Sequence, residues 1–304
     1  MNILLLGGTG VAGRSTLPRL LEAGHTVTAH ARSDAAARHL TDTGATVARF
    51  DTGDPAALRT ALVGKDALVD HRVQIPPSSR AALPGAWRAF RYLRDEATTQ
   101  LVDAMIEGGV QRLVRDVVTF VYADGGDDWL DEDAPVTASG PMAANLAAER
   151  HVARLSAAGG AGVALRCGLF YGPDDRMSTE TIRLARRPGL GVILGSDTGW
   201  HSALHTDDAG TAMAAALDAP AGVYNVVDDE PLRRGELAAL LASCAGRQHL
   251  RRPPGWIAPL SGAAGRAQAR SHRVSAARFH DLTGWQPAVP TRRVGWPRAF
   301  EDAR

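Results

Sequence analysis

Apolar and polar positions follow one another in regular blocks along the first half of the chain. Short apolar runs without turn residues, the first at Ile3 to Leu6, are typical of strands buried on both faces of a parallel sheet. Between these runs lie stretches with apolar residues at helical spacing, such as Ser15 to Ala23, which Gly24 ends. The alternation predicts an α/β fold with a doubly wound parallel sheet and helices on both of its faces.

The same pattern places the remaining elements. Further strands are predicted at residues 26–31, 45–51, 67–70, 112–122, 162–167 and 223–227. Long helices are predicted at residues 87–108, 143–157 and 231–245. Beyond residue 250 the chain is rich in proline, glycine, arginine and tryptophan, which indicates a loop-rich end.

A glycine-rich turn joins the first strand to the first helix. Residues 8–13 read Gly-Thr-Gly-Val-Ala-Gly, the spacing of the dinucleotide fingerprint. Glycine is needed there because the turn is tight, the backbone approaches a pyrophosphate and the helix packs closely on the strand. The free N–H groups at the start of the helix favour phosphate. The residues predicted to hold the dinucleotide are Gly7, Thr9, Gly10, Val11, Ala12 and Gly13.

Polar residues follow three of the predicted strands, at the sheet edge where ligands bind in doubly wound folds. Arg32 and Ser33 follow the second strand, where an NAD site would carry an acidic residue; a guanidinium suits the 2′-phosphate of NADP(H). Arg32 as an ordinary surface cation is the alternative. Asp51 with Thr52, and His71 with Arg72, are predicted along the same cleft. A turn role for Asp51 and a surface role for His71 stay open.

Composition narrows the classes of partner. The chain has 304 residues and a formal net charge of +1, which indicates neither nucleic acid nor an anionic membrane. No apolar run reaches the about 18 residues of a membrane span, and the first strand begins at Asn2, which leaves no room for a signal peptide. Two cysteines provide no disulfide framework. We expect a cytoplasmic protein with a small-molecule partner and no bound metal; its oligomeric state stays open.

Several short motifs are spread along almost the whole chain. In sequence order they are Asp51-x-x-Asp54, Gly109-Val110-Gln111-Arg112-Leu113-Val114, Asp131-Glu132-Asp133-Ala134-Pro135, Leu165-Arg166-x-Gly168-x-x-Tyr171-Gly172-Pro173, His205-x-Asp207-Asp208, Tyr224-Asn225-Val226 and Leu282-x-Gly284-Trp285-x-Pro287. With the glycine turn, this series resembles the extended short-chain dehydrogenase/reductase family, the group of epimerases and dehydratases.

The resemblance implies a layout for the whole chain. Residues 1–171, with a strand returning near 203–228, are expected to bind the dinucleotide, and residues 172–202 and 229–304 to form a smaller substrate-binding lobe. Gly168 and Leu169 are expected beside the nicotinamide, and His201 and Ser202 are expected to face the substrate.

The catalytic motif of the family is missing. Active members carry Ser or Thr after the fifth strand and a Tyr-x-x-x-Lys at the start of the next helix. The resemblance puts Val118, with Thr119 next to it, at the hydroxyl position, Met142 at the tyrosine and Leu146 at the lysine. No other Tyr-x-x-x-Lys exists, because Lys65 is the one lysine and Ala61 lies four residues before it.

Three functions stay open. Met142 and Leu146 cannot exchange protons, so the sequence favours an NADPH-dependent ketoreductase whose aromatic substrate supplies the proton from a phenol, with Val118, Thr119 and Met142 at the substrate. In this the chain resembles the triad-lacking ketoreductases of aromatic polyketide (angucyclinone) pathways. The alternatives are an inactive NADP(H)-sensing binding protein and a nucleotide-sugar epimerase or dehydratase. Thr119 or a histidine taking over part of the lost acid role also stays open.

Overall fold

A seven-stranded sheet forms the centre of the computed structural model, which describes residues 1–77, 80–81, 83, 85–173, 175–187, 193–251 and 262–303. All neighbouring strands in it are parallel, which confirms the predicted doubly wound α/β class. In spatial order the strands are β11 (Gly222–Val226), β7 (Ala161–Cys167), β5 (Arg112–Val118), β4 (Ala67–Asp70), β1 (Asn2–Leu6), β2 (Thr26–His30) and β3 (Thr46–Ala48). The strand order reverses between β1 and β4, the place where such folds open a ligand crevice.

Helices cover both faces of the sheet because the central strands are apolar on both sides. In β1, Ile3 and Leu5 join one core cluster while Leu4 and Leu6 join the other. The first cluster is covered by α1 (Val11–Glu22), α2 (Asp34–Asp42) and α8 (Thr206–Ala215). The second is covered by α3 (Pro55–Leu62), α5 (Glu96–Gly108) and α6 (Ala143–Ala157). The short apolar runs therefore predicted these strands correctly.

The single helix expected at residues 87–108 is two helices in the structure. It divides into α4 (Arg88–Arg94) and α5 at Asp95, whose backbone leaves the helical region at φ −110° and ψ −83°. The break lets the side chain of Arg94 turn into the sheet and bond the backbone and side chain of Asp116. A buried polar contact has therefore overridden the helical pattern.

Paired short strands and further helices accompany the central sheet. The strand pairs are β6 (Trp129–Leu130) with β13 (Arg273–Val274), β8 (Leu169–Tyr171) with β10 (Ala203–His205), and β9 (Trp200–His201) with β12 (Leu232–Arg233). The further helices are α7 (Arg176–Arg186), α9 (Arg234–Cys244), α10 (Gly262–Ala269), α11 (Ala277–Thr283) and α12 (Arg292–Asp302). None of the described helices is long and apolar enough to span a membrane.

Candidate cofactor and substrate cleft

The glycine turn is packed so tightly that its backbone leaves no room for side chains. Gly10 donates its N–H to the carbonyl of Gly7 at 2.9 Å. A Cβ on Gly13 would lie 2.2 Å from that carbonyl oxygen, and one on Gly7, at φ +80°, would lie 2.8 Å from the backbone of His71. The turn therefore presses against the residue that follows β4, His71.

The start of α1 fits the diphosphate of a nicotinamide dinucleotide. Gly10 caps the helix in an extended conformation, no side chain accepts from the first-turn N–H groups, and the first turn carries no acidic residue. Such N–H groups and the positive end of the helix dipole attract phosphate. Val11 and Ala12, at the beginning of this helix, are the residues whose backbone would meet it.

Arg32 and Ser33 lie where β2 ends and α2 begins. The Ser33 hydroxyl caps α2 by accepting from Ala36 N at 3.2 Å, and Arg32 is exposed beside it, with no ion pair among the described residues. Its neighbour Arg49 is already paired with Asp34. Asp51 performs the turn role that the sequence left open, because its carboxylate accepts from Gly53 N at 2.8 Å.

His71 and Arg72 are not free side chains, although both lie against the glycine turn. Arg72 bonds the carboxylate of Asp70 through Nε at 2.9 Å and Nη2 at 3.0 Å, and Arg115 bonds the same carboxylate from β5. Burial alone raises the pKa of Asp70, but the Arg115 and Arg72 guanidinium groups lower it to about 2. Asp70 is therefore a carboxylate held between two cations.

A second carboxylate extends this buried network. Asp116 accepts from His71 Nδ1 at 3.0 Å and from Arg94 Nη2 at 2.9 Å, while His71 Nε2 lies 3.0 Å from the hydroxyl of Thr16 on α1. Burial opposes ionisation, yet Arg94 and His71 together lower the pKa of Asp116. Sequence reasoning missed this network; the signal was the Arg-Asp pair inside an otherwise apolar strand.

The three residues that the resemblance assigns to the catalytic motif lie on neighbouring elements. Val118 ends β5, Met142 ends the short 3₁₀ turn Gly140–Met142, and Leu146 follows one turn into α6. Val118 and Met142 pack together in an apolar cluster, here called the apolar wall. Its buried members are Phe90, Phe120, Met142, Ala144, Ala264 and Ala267, with Trp87, Val118, Ala138 and Leu169 packed at its edge.

Tyr122, Tyr171 and Thr119 are three hydroxyl-bearing residues that are buried. Burial raises the pKa of Tyr122 to about 12, and its hydroxyl donates to Asn225 at 2.7 Å. Burial also raises the pKa of Tyr171 far above its usual range. Thr119 lies in the turn after β5, and only 1% of its surface is exposed.

The strand pair β8 and β10 carries the other side of the cleft. A Cβ on Gly168 would lie 2.6 Å from the backbone of Ala203, so the two strands approach too closely for any larger residue. Leu169 follows at the edge of the apolar wall. Gly168 and Leu169 therefore follow Cys167, which pairs with Val118 at the end of β5; their place beside the nicotinamide stays a prediction.

The two residues expected to face the substrate differ in their hydrogen bonds. The Ser202 hydroxyl donates to the carbonyl of His272 and accepts from Val274 N, both at 3.0 Å, so its single donor is used within the protein. The ring hydrogen bond of His201 to a described residue is at Nδ1. The role of both residues at the substrate stays a prediction. No group of three potential metal ligands occurs in the described part of the chain.

Comparisons with known proteins agree with this architecture. The model of the NAD dependent epimerase/dehydratase family matches residues 3–227. The 3-diazoavenalumate denitrifying reductase of a Streptomyces species is 32% identical over 307 residues, covering 98% of this chain and 100% of that protein. The 2-alkyl-3-oxoalkanoate reductase of Stenotrophomonas maltophilia is 27% identical over 264 residues, covering 81% of this chain and 76% of that protein.

Solved structures share the fold over the full length. MoeE5 in complex with UDP-glucose and NAD has a TM-score of 0.80 at 21% identity, covering 100% of this chain and 99% of that one. The human epimerase family protein SDR39U1 with NADPH has a TM-score of 0.79 at 21% identity, covering 99% of each chain. The reductases and the family support an oxidoreductase-type enzyme with a nicotinamide cofactor. On the family match and the full-length relative, the chain belongs to the NAD-dependent epimerase/dehydratase family.

Proposed function

We propose that the protein is an NADPH-dependent reductase that acts on a ketone of an aromatic, angucyclinone-like polyketide, with the proton supplied by a phenol of the substrate. One observation carries the proposal: the positions of the hydroxyl, tyrosine and lysine hold Val118, Met142 and Leu146, and the first two pack into the apolar wall. A surface of this kind suits a flat, apolar ring system and excludes water from it.

The chemistry must then do without a protein acid. A positioned acid or base is typically worth about 10² to 10⁴ in rate. A phenol next to the ketone can take this role, because its O–H already bonds the carbonyl oxygen. NADPH supplies the hydride. The hydride adds to the carbonyl carbon, the C=O π pair moves to oxygen, and oxygen takes the phenol proton, which leaves a phenolate that water later reprotonates.

The contribution of the chain is orientation and charge. Val118, Met142 and Leu146 hold the ring plane, and correct alignment of reacting groups is worth up to about 7 to 11 kcal/mol of barrier. Behind them the buried network holds three arginines against two carboxylates, so it carries a net positive charge. A positive potential there favours both the phosphates of the cofactor and the phenolate that the reaction forms.

Replacing Arg32 with alanine tests the choice of NADPH. We expect the affinity for NADPH to fall about 10- to 100-fold, because charge-assisted hydrogen bonds of about 1.5 to 3 kcal/mol to the 2′-phosphate are lost. The affinity for NADH, which lacks this phosphate, should change little. Fluorescence titration of both cofactors measures the effect. Arg38→Ala, which removes an exposed cation of α2, is the matched control. An equal loss of affinity for NADH and NADPH in Arg32→Ala would contradict the assignment of Arg32 to the 2′-phosphate.

Transfer of deuterium from NADPH labelled at the transferable position tests the function itself. The panel contains peri-hydroxytetralone (the phenolic ketone), its methyl ether, unsubstituted tetralone, and UDP-glucose as a nucleotide sugar. We expect label in the reduced phenolic ketone alone, read by mass spectrometry. Tight NADPH binding without label in any product would instead support the NADP(H)-sensing protein. Epimerised UDP-glucose in a parallel incubation with NAD⁺ would support the epimerase.

The full-length Streptomyces relative favours a second candidate, the reductive removal of a diazo group. Its name states a diazo substrate and a denitrifying reductase, and it is 32% identical to this chain. A diazoquinone accepts hydride on its terminal nitrogen and becomes an aryldiazene phenolate. The N–H proton then passes to water, the C–N bond breaks with loss of N₂, and the ring carbon takes a proton from water. This acceptor also needs no protein acid. Release of N₂ from a naphthalene ortho-diazoquinone added to the panel, with the label lost to water and not kept in the product, distinguishes the two reactions.

A further inference from the structure

His201 is held in one orientation by a buried arginine. Arg292, at the start of α12, is 2% exposed, and its Nη1 lies 3.0 Å from His201 Nδ1. Its Nη2 donates to the backbone carbonyl of the same histidine. Two bonds from one guanidinium to one residue fix both the ring and its strand, β9.

This contact also decides which nitrogen of His201 carries the proton. A guanidinium has only donors, so Nδ1 must accept and Nε2 must carry the hydrogen. Burial, with Arg292 beside it, holds the pKa of His201 well below its usual range, so the ring stays neutral. The result is a single tautomer with one N–H group, at Nε2.

The N–H group of His201 lies close to the apolar wall. The ring of His201 is 6.2 Å from the ring of Phe120, which packs with Met142 in the wall. The side chain is more than nine-tenths buried, and the ring hydrogen bond to a described residue is at Nδ1, which leaves Nε2 for another partner.

We propose that His201 Nε2–H donates a hydrogen bond to an oxygen of the aromatic substrate, either a ring carbonyl or a phenolate, and so selects oxygenated aromatic rings. The assignment rests on the proposed function. His201 is then a binding residue and not the missing acid, because a neutral imidazole N–H donates a hydrogen bond without giving up its proton at ordinary pH.

Two substitutions separate the two nitrogens of His201. His201→Asn keeps an acceptor on Cγ for Arg292 but removes the donor at the position of Nε2. His201→Gln places an amide N–H near that position again. With NADPH and the phenolic ketone, we expect His201→Asn to raise KM about tenfold, the effect of one lost neutral hydrogen bond, with kcat unchanged. His201→Gln should restore part of the loss.

His272 provides the matched control. Its ring lies 6.0 Å from Phe120, and its Nε2 lies 3.3 Å from the carbonyl of Tyr122, so it has no N–H group left for a ligand. His272→Gln should therefore leave KM unchanged. A KM for His201→Asn equal to that of the unaltered protein overturns the proposal while the reductase function stands.

A spectroscopic measurement keeps the two proposals apart. With nitrogen-labelled histidine, the Nε2–H signal missing from the His201→Asn spectrum belongs to His201. Adding the phenolic ketone to the NADP⁺-bound protein should shift this signal, whether or not the ketone is turned over with NADPH. If no panel ketone is reduced, the proposed ketoreductase function fails; an unshifted signal then overturns the role of His201 as well.

Discussion

Removing the phenol from the ketone is expected to lower kcat/KM by about 10² to 10⁴, whereas Thr119→Val leaves it unchanged. The first change removes the group that protonates the nascent alkoxide. The second removes the hydroxyl nearest the lost catalytic position while keeping the shape of the side chain. Initial rates of NADPH oxidation with the phenolic ketone, its methyl ether and tetralone measure both effects.

The comparison of two phenol-free ketones controls for size. The methyl ether is larger than the phenolic ketone and tetralone is smaller, so only a missing proton donor slows both alike. The loss should fall on kcat as well as on kcat/KM, because the proton is needed in the transition state. Tetralone reduced as fast as the phenolic ketone would show that a protein group supplies the proton, and Thr119→Val would then identify or exclude the nearest one.

The cofactor turn could be predicted from sequence because its requirements are local. A Cβ on Gly13 meets the carbonyl of Gly7, six residues earlier, so the spacing of the glycines contains the whole geometric argument. The same holds for Val118 and Met142, whose inability to exchange protons follows from residue type alone. Their packing into one wall, by contrast, is a finding of the structure, because residues 119–139 separate β5 from the turn that holds Met142.

The ionic network could not be predicted because it depends on strand register. Asp70 and Arg115 are 45 positions apart and meet only because β4 and β5 pair with these two residues opposite each other. Arg94 joins them only because the helix before α5 breaks at Asp95. Helical periodicity predicts no such break, since the apolar spacing continues through it.

The hydrogen-bond partners of His201 and Ser202 could not be predicted from the sequence either. The two residues are adjacent on one short segment, and alternation along a strand sends their side chains to opposite sides. The partners that fix the two side chains are distant in the sequence. His272, which bonds Ser202, is 70 positions away, and Arg292, which bonds His201, is 91 positions away. A resemblance assigns the segment to the substrate but not the individual side chain.

Asp70→Asn is expected to reduce the free energy of unfolding by about 3 to 5 kcal/mol, the cost of breaking a buried ion pair from one side. Asp70 is fully buried, and its carboxylate bonds both Arg72 and Arg115. The neutral amide of asparagine leaves the positive charges of these two arginines without a counter-charge. Urea unfolding followed by circular dichroism measures the change.

The exposed pair Arg19 and Glu22, whose charged atoms lie 2.7 Å apart, provides the control. Glu22→Gln should cost less than about 1 kcal/mol, because solvent screens an exposed pair. The triple variant Asp70→Leu, Arg72→Met and Arg115→Met should cost less than Asp70→Asn alone, since apolar residues replace the carboxylate together with both of its cations. If Asp70→Asn were as mild as Glu22→Gln, the network would not hold β4 against β5. The positive potential that we attribute to this network depends on the same contacts, because Asp70 and Asp116 hold its three arginines in place. That potential would then need another source.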